Sequence, residues 1–216
     1  MKSKEFLDEQ IIDMINEVEQ EEIIEATIDN GAIKPEERTI YTGIKVKNEW
    51  IYFEPRFFLD EKIKMMVPEH FDEMSPEMAR TKYPSEDRPE IILTDETTAV
   101  NLMISHLPEA MSDDEAKMMR DQMIGMMMRL NPGIKPLSTG DEILCEKTVA
   151  YVEFSNPVLD GKLYNLLCFM ELENRTFMLS FNCLTKESKY WKKHAFEMMQ
   201  SIEIMEENDN ESTINE

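Results

Sequence analysis

The sequence has few of the residues on which common catalytic and cofactor-binding motifs depend. Its 216 residues include six glycines, three histidines and three cysteines. No glycine-rich phosphate loop, GxSxG turn or HExxH pair is present, and the cysteines lack the close spacing of a zinc site or a CxxC redox motif. We therefore predict a protein that is not an enzyme and that binds no cofactor or metal, although distant residues can still assemble a catalytic triad in space.

Basic residues are scarce relative to acidic ones. The chain has 23 lysines and arginines against 45 aspartates and glutamates, which gives a net charge of −22. Such a charge repels phosphate groups, so we predict that the protein binds neither nucleic acid nor an anionic membrane surface. No run of roughly 20 apolar residues is present, and the charged N-terminal segment lacks the apolar core of a signal peptide. These absences predict a cytoplasmic protein.

The two ends of the chain differ from the rest. Residues 1–30 are predicted to form one amphipathic helix, because apolar residues recur there at helical spacing. The candidate partner contacts on this apolar stripe are Leu7, Ile11, Met14, Ile15 and Val18. The stripe can pack on its own domain, or it can contact another protein or a second copy of the chain. Residues 31–205 are predicted to form a single domain, and the acidic residues 206–216 are predicted to form a disordered tail.

A methionine-rich helix is predicted in the middle of the chain. The chain has 19 methionines, and six of them lie between a capping box, Ser112 to Glu115, and the stop signal Pro132-Gly133. One stripe of this helix is expected to pack on a sheet, and it contains Met119, Met123, Met126, Met127 and Leu130. Met118 and Met128 fall outside the stripe and are predicted to contact a partner, because methionine suits adaptable binding surfaces.

Strands are predicted on both sides of this helix from alternating apolar residues and turn signals. Pro55 and Pro108 are expected to end two of them. Residues 143–154 are expected to form a single strand that begins a three-strand meander. The next strand, residues 163–172, is apolar on both faces, so we expect it to lie inside the sheet with cover above and below.

Four segments follow one another in an order that is specific. They are KIKMMVPEHF, IILTDETTAVNLMIS, the strand run KTVAYVEFSNPVLDGKLYNLLCFMELENRTFMLSFNC, and YWKKHAFEMMQSIEI in the last helix. Across about residues 57–204 this order resembles the PsbP/Mog-type fold, which includes the photosystem subunit PsbP and the Ran-binding Mog protein. The EagR-type chaperones of type VI secretion effectors are similar. The resemblance implies an α+β domain, an antiparallel β-sheet flanked by helices on both faces (an α/β/α sandwich), here with the extra N-terminal amphipathic helix.

The resemblance also carries an expectation about function. Proteins with this fold mostly bind other proteins without catalysis, which implies a non-catalytic protein-binding module. The sharper version is an adaptor or chaperone for another protein, which rests on the fold alone. Two alternatives stay open. One is a structural homodimer or larger homo-oligomer that pairs through the N-terminal helix, and the other is a small-ligand binder or enzyme with a concave pocket.

Overall fold

The computed structural model describes residues 38–159 and 161–205, and a compact unit of the chain begins at Thr39. The helix predicted for residues 1–30 and the tail predicted for residues 206–216 lie outside the described residues. The candidate contacts in the first segment therefore also lie outside them, namely Leu7, Ile11, Met14, Ile15 and Val18. The described residues form three α-helices, which are α1 Pro76–Lys82, α2 Ala116–Leu130 and α3 Ser188–Gln200.

The strands form a hairpin, a small sheet and a large sheet. The hairpin joins β1 Ile44–Val46 to β2 Glu49–Ile51, and the small sheet contains β3 Phe53–Phe58, β4 Ile63–Pro68 and β12 Glu203–Ile204. The large sheet contains β5 Asp72–Glu73, β6 Ile91–Thr94, β7 Asn101–Ala110, β8 Lys135–Leu144, β9 Lys147–Val158, β10 Gly161–Leu172 and β11 Arg175–Leu184. Their order across this sheet is β5-β6-β7-β11-β10-β9-β8, and all neighbours are antiparallel.

The main hydrophobic core lies between one face of the large sheet and a layer made of α3 and the small sheet. In the small sheet, β4 buries Ile63, Met65 and Val67 in this core. From α3, Trp191 contacts the ring of Phe181 in β11 with 5.9 Å between ring centroids. Burying each large apolar side chain of this kind stabilises the fold by about 1.5–3 kcal/mol. A sheet thus provides much of the cover on this face.

The predicted α/β/α sandwich is therefore wrong. The protein is mostly antiparallel β-sheet, and helices alone cover neither the main core nor all of the opposite face. The physical reason lies in β4, which is buried on one face only. It pairs with β3 and β12, and the small sheet that they form covers the core with this buried face. Its alternating residues predict a half-buried strand but leave its sheet undetermined.

Two prolines lie inside strands that they were expected to end. Pro55 belongs to β3, the edge strand of the small sheet. An edge strand has one side without a neighbouring strand, and a residue there needs no backbone N–H for pairing. Pro108 belongs to β7. The pairing of β7 with β6 ends at Ile104, so Pro108 has no β6 residue beside it. Both prolines therefore occupy positions where a strand has a free side, which is the position that proline tolerates.

The meander also differs from its prediction. Residues 143–154 do not form one strand, because Cys145 and Glu146 make a turn with positive φ angles of 49° and 62° between β8 and β9. This is the backbone conformation of a two-residue hairpin turn. Further along, β10 lies between β11 and β9 and is buried from Tyr164 to Leu172. The prediction of an inner strand with both faces covered is confirmed.

Candidate functional site

The second face of the large sheet carries three separate apolar clusters rather than one continuous layer, of which the smallest, Met111, Ala116 and Ala150, lies at the start of α2. The two larger clusters flank a gap. Beneath α2, the buried Ile124 packs on β9 and β10 through Val152, Phe154, Leu167 and Phe169. Beside α1, Ala79 packs with Ile92 and Met103 of β6 and β7. In the order of strands, β11 lies between the strands that carry these two clusters. The gap between them therefore runs over β11.

An open groove of about 970 Å³ occupies this gap. We call it the methionine groove. Its first wall is α2, and its second wall is made by Tyr83, residues 87–90 and the end of β7. Side chains of β7, β9, β10 and β11 form its floor. Concave sites of this size, with apolar walls and a few polar groups, are typical of binding sites.

Four methionines of α2 form the first wall, namely Met119, Met123, Met126 and Met127. Met119, Met123 and Met127 also pack against the cluster beneath α2, which confirms the predicted stripe at these positions. The same expectation is wrong for Met126, which is 43% exposed, does not join this cluster and lines the groove. The expectation that Leu130 packs with them is wrong, because this last residue of α2 is 79% exposed.

The two candidate contacts predicted on α2 lie outside the groove. Met118 and Met128 are 49% and 40% exposed, and neither lines the groove. The start of the helix agrees with the predicted capping box, since the Ser112 N–H donates to Glu115 Oε2 at 2.8 Å. The Ser112 hydroxyl also donates to Glu115 Oε2, at 2.7 Å. The two hydrogen bonds, from the backbone and from the side chain of Ser112, lower the pKa of Glu115. The box caps the 3-10 turn Asp113–Glu115, which leads directly into α2.

The floor of the groove is polar along a strand that has neighbours on both sides. Phe177, Leu179 and Phe181 of β11 belong to the main core, so Ser180 and Asn182 lie on the opposite face, in the groove. Ser180 lies opposite Met103 of β7 and Leu167 of β10, and Asn182 lies opposite Asn165 of β10. The floor thus alternates between sulfur or hydrocarbon groups and hydroxyl or amide groups.

Four asparagine amides form a row across neighbouring strands, and three of them line the floor, namely Asn156, Asn165 and Asn182. Asn101 Nδ2 donates to Asn182 Oδ1 at 2.9 Å, and Asn165 Nδ2 donates to Asn156 Oδ1 at 2.7 Å. Among the described residues, no hydrogen bond of normal geometry uses Asn182 Nδ2, Asn165 Oδ1 or the hydroxyl of Ser180. Because buried polar groups cost free energy unless they are hydrogen-bonded, these groups are available to water or to a bound molecule.

Tyr83 closes the side of the groove next to α1. Its hydroxyl is buried and lies near the amide of Asn182, but it forms no hydrogen bond of normal geometry within the described part of the chain. Burial raises the pKa of Tyr83, and the nearby Asn182 amide lowers it to a smaller extent. The hydroxyl is therefore neutral at pH 7 and adds one more unpaired polar group to the site.

The wall opposite α2 is acidic. Asp87, Glu90 and Glu109 line it, together with Arg88 and His106. The Arg88 Nε donates to the Tyr83 carbonyl oxygen at 3.2 Å, and the His106 Nε2 lies 3.0 Å from the Leu172 carbonyl oxygen. Within residues 38–159 and 161–205, none of the three carboxylates forms an ion pair or accepts a hydrogen bond. The groove therefore combines a methionine wall, a floor of hydroxyl and amide groups, and a negatively charged wall.

Sequence reasoning missed both the floor and the acidic wall. The signal for the floor is in β11, where core residues alternate with Ser180 and Asn182. In a strand with neighbours on both sides, a polar face indicates that no helix covers that face. The acidic wall has no such signal, because Asp87, Glu90 and Glu109 come from two segments that only the fold brings together.

A buried carboxylate lies on the opposite face of the sheet, away from the groove. Glu153 of β9 is 3% exposed. It accepts hydrogen bonds from the Tyr164 hydroxyl at 2.6 Å, from Lys192 Nζ of α3 at 2.9 Å and from the Ser138 hydroxyl. Burial alone would raise the pKa of Glu153, but the hydrogen bonds together hold it below its ordinary value. The cluster joins β8, β9, β10 and α3, which is a structural role.

Neither a metal cluster nor a membrane-spanning helix is found among the described residues. No group of three or more histidine, cysteine, aspartate and glutamate residues there is arranged to hold a metal ion. No helix among them is long and apolar enough to cross a membrane. In the groove, His106 Nε2 contacts the backbone carbonyl oxygen of Leu172 rather than a serine hydroxyl.

Comparison with known proteins supports the fold. No protein-family model matches the sequence, and no curated protein matches it. The solution structure of cyanobacterial PsbP (CyanoP) from Synechocystis sp. PCC 6803 matches with a TM-score of 0.54 and 10% identity, over 71% of this chain and 92% of that chain. LpqN of Mycobacterium tuberculosis, involved in cell envelope biogenesis, has a TM-score of 0.48 and 14% identity, over 78% and 98% of the two chains. The chain therefore has a PsbP-like fold, as its sequence predicts.

Proposed function

We propose that the protein is a non-catalytic protein-binding module that binds a segment of another protein in the methionine groove. The observation that supports this is the groove itself, about 970 Å³ in volume, with a methionine wall and unpaired amide and hydroxyl groups on its floor. Methionine side chains are flexible and polarisable, so they adapt to varied apolar partners. An adaptor or chaperone role, as in the EagR-type proteins, is the sharper form of this proposal and rests on resemblance.

A small-ligand binder is the second candidate. The volume of about 970 Å³ lies at the upper end of the range for small-molecule sites, which is about 300–1,000 Å³. We favour a protein segment because exposed residues, among them Met126 and Glu109, line the groove and leave it open to solvent, whereas a small ligand is usually enclosed on most sides. The two candidates differ in what stays bound to the purified protein, so one set of variants distinguishes them.

Three methionines on α2 provide a matched test. Met126, Met118 and Met128 are 43%, 49% and 40% exposed, but only Met126 lines the groove. Each is changed to arginine in the tagged full-length protein, which is then purified from its own cells. We expect one protein to co-purify near a one-to-one ratio. Met126→Arg should weaken its binding at least tenfold, by about 1.4 kcal/mol or more, while the other two variants stay within twofold.

The pattern of losses decides between the alternatives. Loss of the partner with Met118→Arg or Met128→Arg, but not with Met126→Arg, would mean that the partner contacts the outer face of α2. A small molecule that co-purifies and is lost with Met126→Arg would support the second candidate instead. If only further copies of the chain co-purify, the homo-oligomer is the correct reading. Equal melting temperatures of the three variants are the control for folding.

A further inference from the structure

We propose that the occupant of the methionine groove is an extended, basic segment in which apolar residues alternate with lysine or arginine. This inference rests on the proposed function and adds the conformation and the charge pattern of the partner. Three features of the groove carry it: the unpaired groups on the floor, the different chemistry of the two walls, and the three carboxylates that have no partner among the described residues.

The floor favours an extended backbone. Asn182 Nδ2 and Asn165 Oδ1 form no hydrogen bond of normal geometry with the described residues, although the Asn182 amide lies near the Tyr83 hydroxyl. The two asparagine side chains lie opposite each other on neighbouring strands. Ser180 adds a hydroxyl two residues away on the same face. An extended segment presents free N–H and C=O groups along its sides, whereas an α-helix uses them internally. Hydrogen bonds from these side chains to a partner's backbone would not depend on the partner's side chains.

The two walls then determine the alternation. In a strand, successive side chains point to opposite sides, and the N–H and C=O groups lie between them. If the backbone edge faces the floor, one set of side chains contacts α2 and the other set contacts the opposite wall. The α2 wall consists of methionines and suits apolar side chains. A segment with period-two alternation of apolar and charged residues matches both walls at once.

The negative charge of the second wall determines that the charged side chains of the occupant are positive. Asp87, Glu90 and Glu109 face the groove against the single arginine Arg88 and the imidazole of His106. The Arg88 guanidinium already donates to the Tyr83 carbonyl oxygen. Because the three carboxylates have no cationic partner among the described residues, lysine or arginine side chains of an occupant would be attracted to them. The net charge of −22 for the whole chain acts in the same direction over longer distances.

Synthetic peptides test the inference on the full-length protein. The probe is a fluorescein-labelled decapeptide in which leucine and lysine alternate. One control peptide has the same composition arranged at helical period, and a second alternates leucine with glutamate. By fluorescence polarisation at 150 mM salt we expect the alternating basic peptide to bind at least tenfold more tightly than either control. Its affinity should fall with added salt, because screening weakens exposed charge pairs.

Two matched pairs of charge reversals distinguish peptide binding in the groove from general attraction of a basic peptide to an acidic protein. Glu90→Lys with Glu109→Lys reverses two charges in the groove, and Glu49→Lys with Glu96→Lys reverses two exposed charges elsewhere. We expect the first pair to weaken peptide binding about tenfold, the size expected for two exposed ion pairs turned into repulsions. The second pair should change it less than twofold. Equal weakening by both pairs would refute the inference.

Failure of this inference can be told apart from failure of the proposed function. Tighter binding of the helical or the glutamate peptide would refute the extended, basic occupant. If the natural partner still depends on Met126, the protein-binding groove would stand. If the natural partner is insensitive to Met126→Arg, the proposed function fails whatever the peptides do. Loss of the alternating peptide with Met126→Arg, but not with Met118→Arg, is the result that supports both.

Discussion

Replacing Tyr164 with phenylalanine tests how the buried Glu153 carboxylate is stabilised. The Tyr164 hydroxyl donates to Glu153 Oε1 at 2.6 Å, and both residues are buried. A hydrogen bond to a charged group contributes about 1.5–3 kcal/mol, because the carboxylate has already lost its water. We therefore expect Tyr164→Phe to lower the free energy of unfolding by about 2 kcal/mol. In a domain of this size, that is a decrease of about 6 °C in melting temperature.

The effect of Tyr164→Phe on the free energy of unfolding should depend on pH. The pKa of Glu153 is lowered in the folded protein, so its stabilising contribution is fully present above the pKa of an unfolded glutamate, about 4.3. The contribution is lost as the pH falls through the folded pKa. At the other end, burial and the neighbouring Glu153 raise the pKa of Tyr164. Its contribution is therefore present below about pH 10 and is lost as the pH rises further. The difference between wild type and Tyr164→Phe should be largest between these limits.

Urea unfolding at pH values from about 3 to about 11.5 measures both effects, with Tyr190→Phe as the control. Tyr190 is partly buried against the main core, and its hydroxyl makes no hydrogen bond with the described residues. We expect this control to change the free energy of unfolding by less than 0.5 kcal/mol, as is typical of substitutions away from special features. If Tyr164→Phe costs no more than the control at pH 7, or costs the same at every pH, the stabilisation of Glu153 by Tyr164 is refuted.

Two further predictions concern packing and thiol reactivity. Gly140→Ala should destabilise the protein by roughly 1–3 kcal/mol in urea unfolding, because the new Cβ would overlap the Tyr151 ring. Gly125→Ala in α2, where the nearest atom is 4.0 Å away, should stabilise it by about 0.5–1 kcal/mol, and equal effects would contradict this reasoning. With a thiol reagent at pH 7.5, the native protein should react at the exposed Cys145 only. Burial raises the pKa of Cys168 and raises that of Cys183 to about 12, so reaction of all three before unfolding would contradict this.

The elements that the sequence predicted well are those whose signal is local or strongly periodic. The capping box at Ser112 and Glu115 depends on residues three apart, and it forms as expected. The inner position of β10 follows from its being apolar on both faces, which only a covered strand tolerates. The same reasoning placed Met119, Met123 and Met127 of the first groove wall against the sheet.

The elements that the sequence did not predict depend on contacts between distant segments. β8 is an edge strand whose residues are mostly exposed, so it shows no apolar alternation, and its turn at Cys145 and Glu146 uses residues that are not typical of turns. The cover of the main core by a second sheet depends on β12 pairing with β4 across most of the chain. The acidic wall joins Glu90 and Glu109 from two segments. None of these features leaves a signal within a single window of sequence.

The difference between β10 and β11 explains how an open groove can coexist with a stable fold. Both strands have neighbours on each side, but the groove face of β10 is apolar except at Asn165, whereas β11 presents Ser180 and Asn182 there beside the single apolar Met178. Ser180 and Asn182 can hold water in an empty groove, which a floor of leucine or valine could not do without exposing a large apolar patch. Met119, Met123 and Met127 of α2 pack against the cluster beneath them. In the complex that we propose, this wall would supply the apolar contact area, and the polar floor suits a groove that is hydrated when empty.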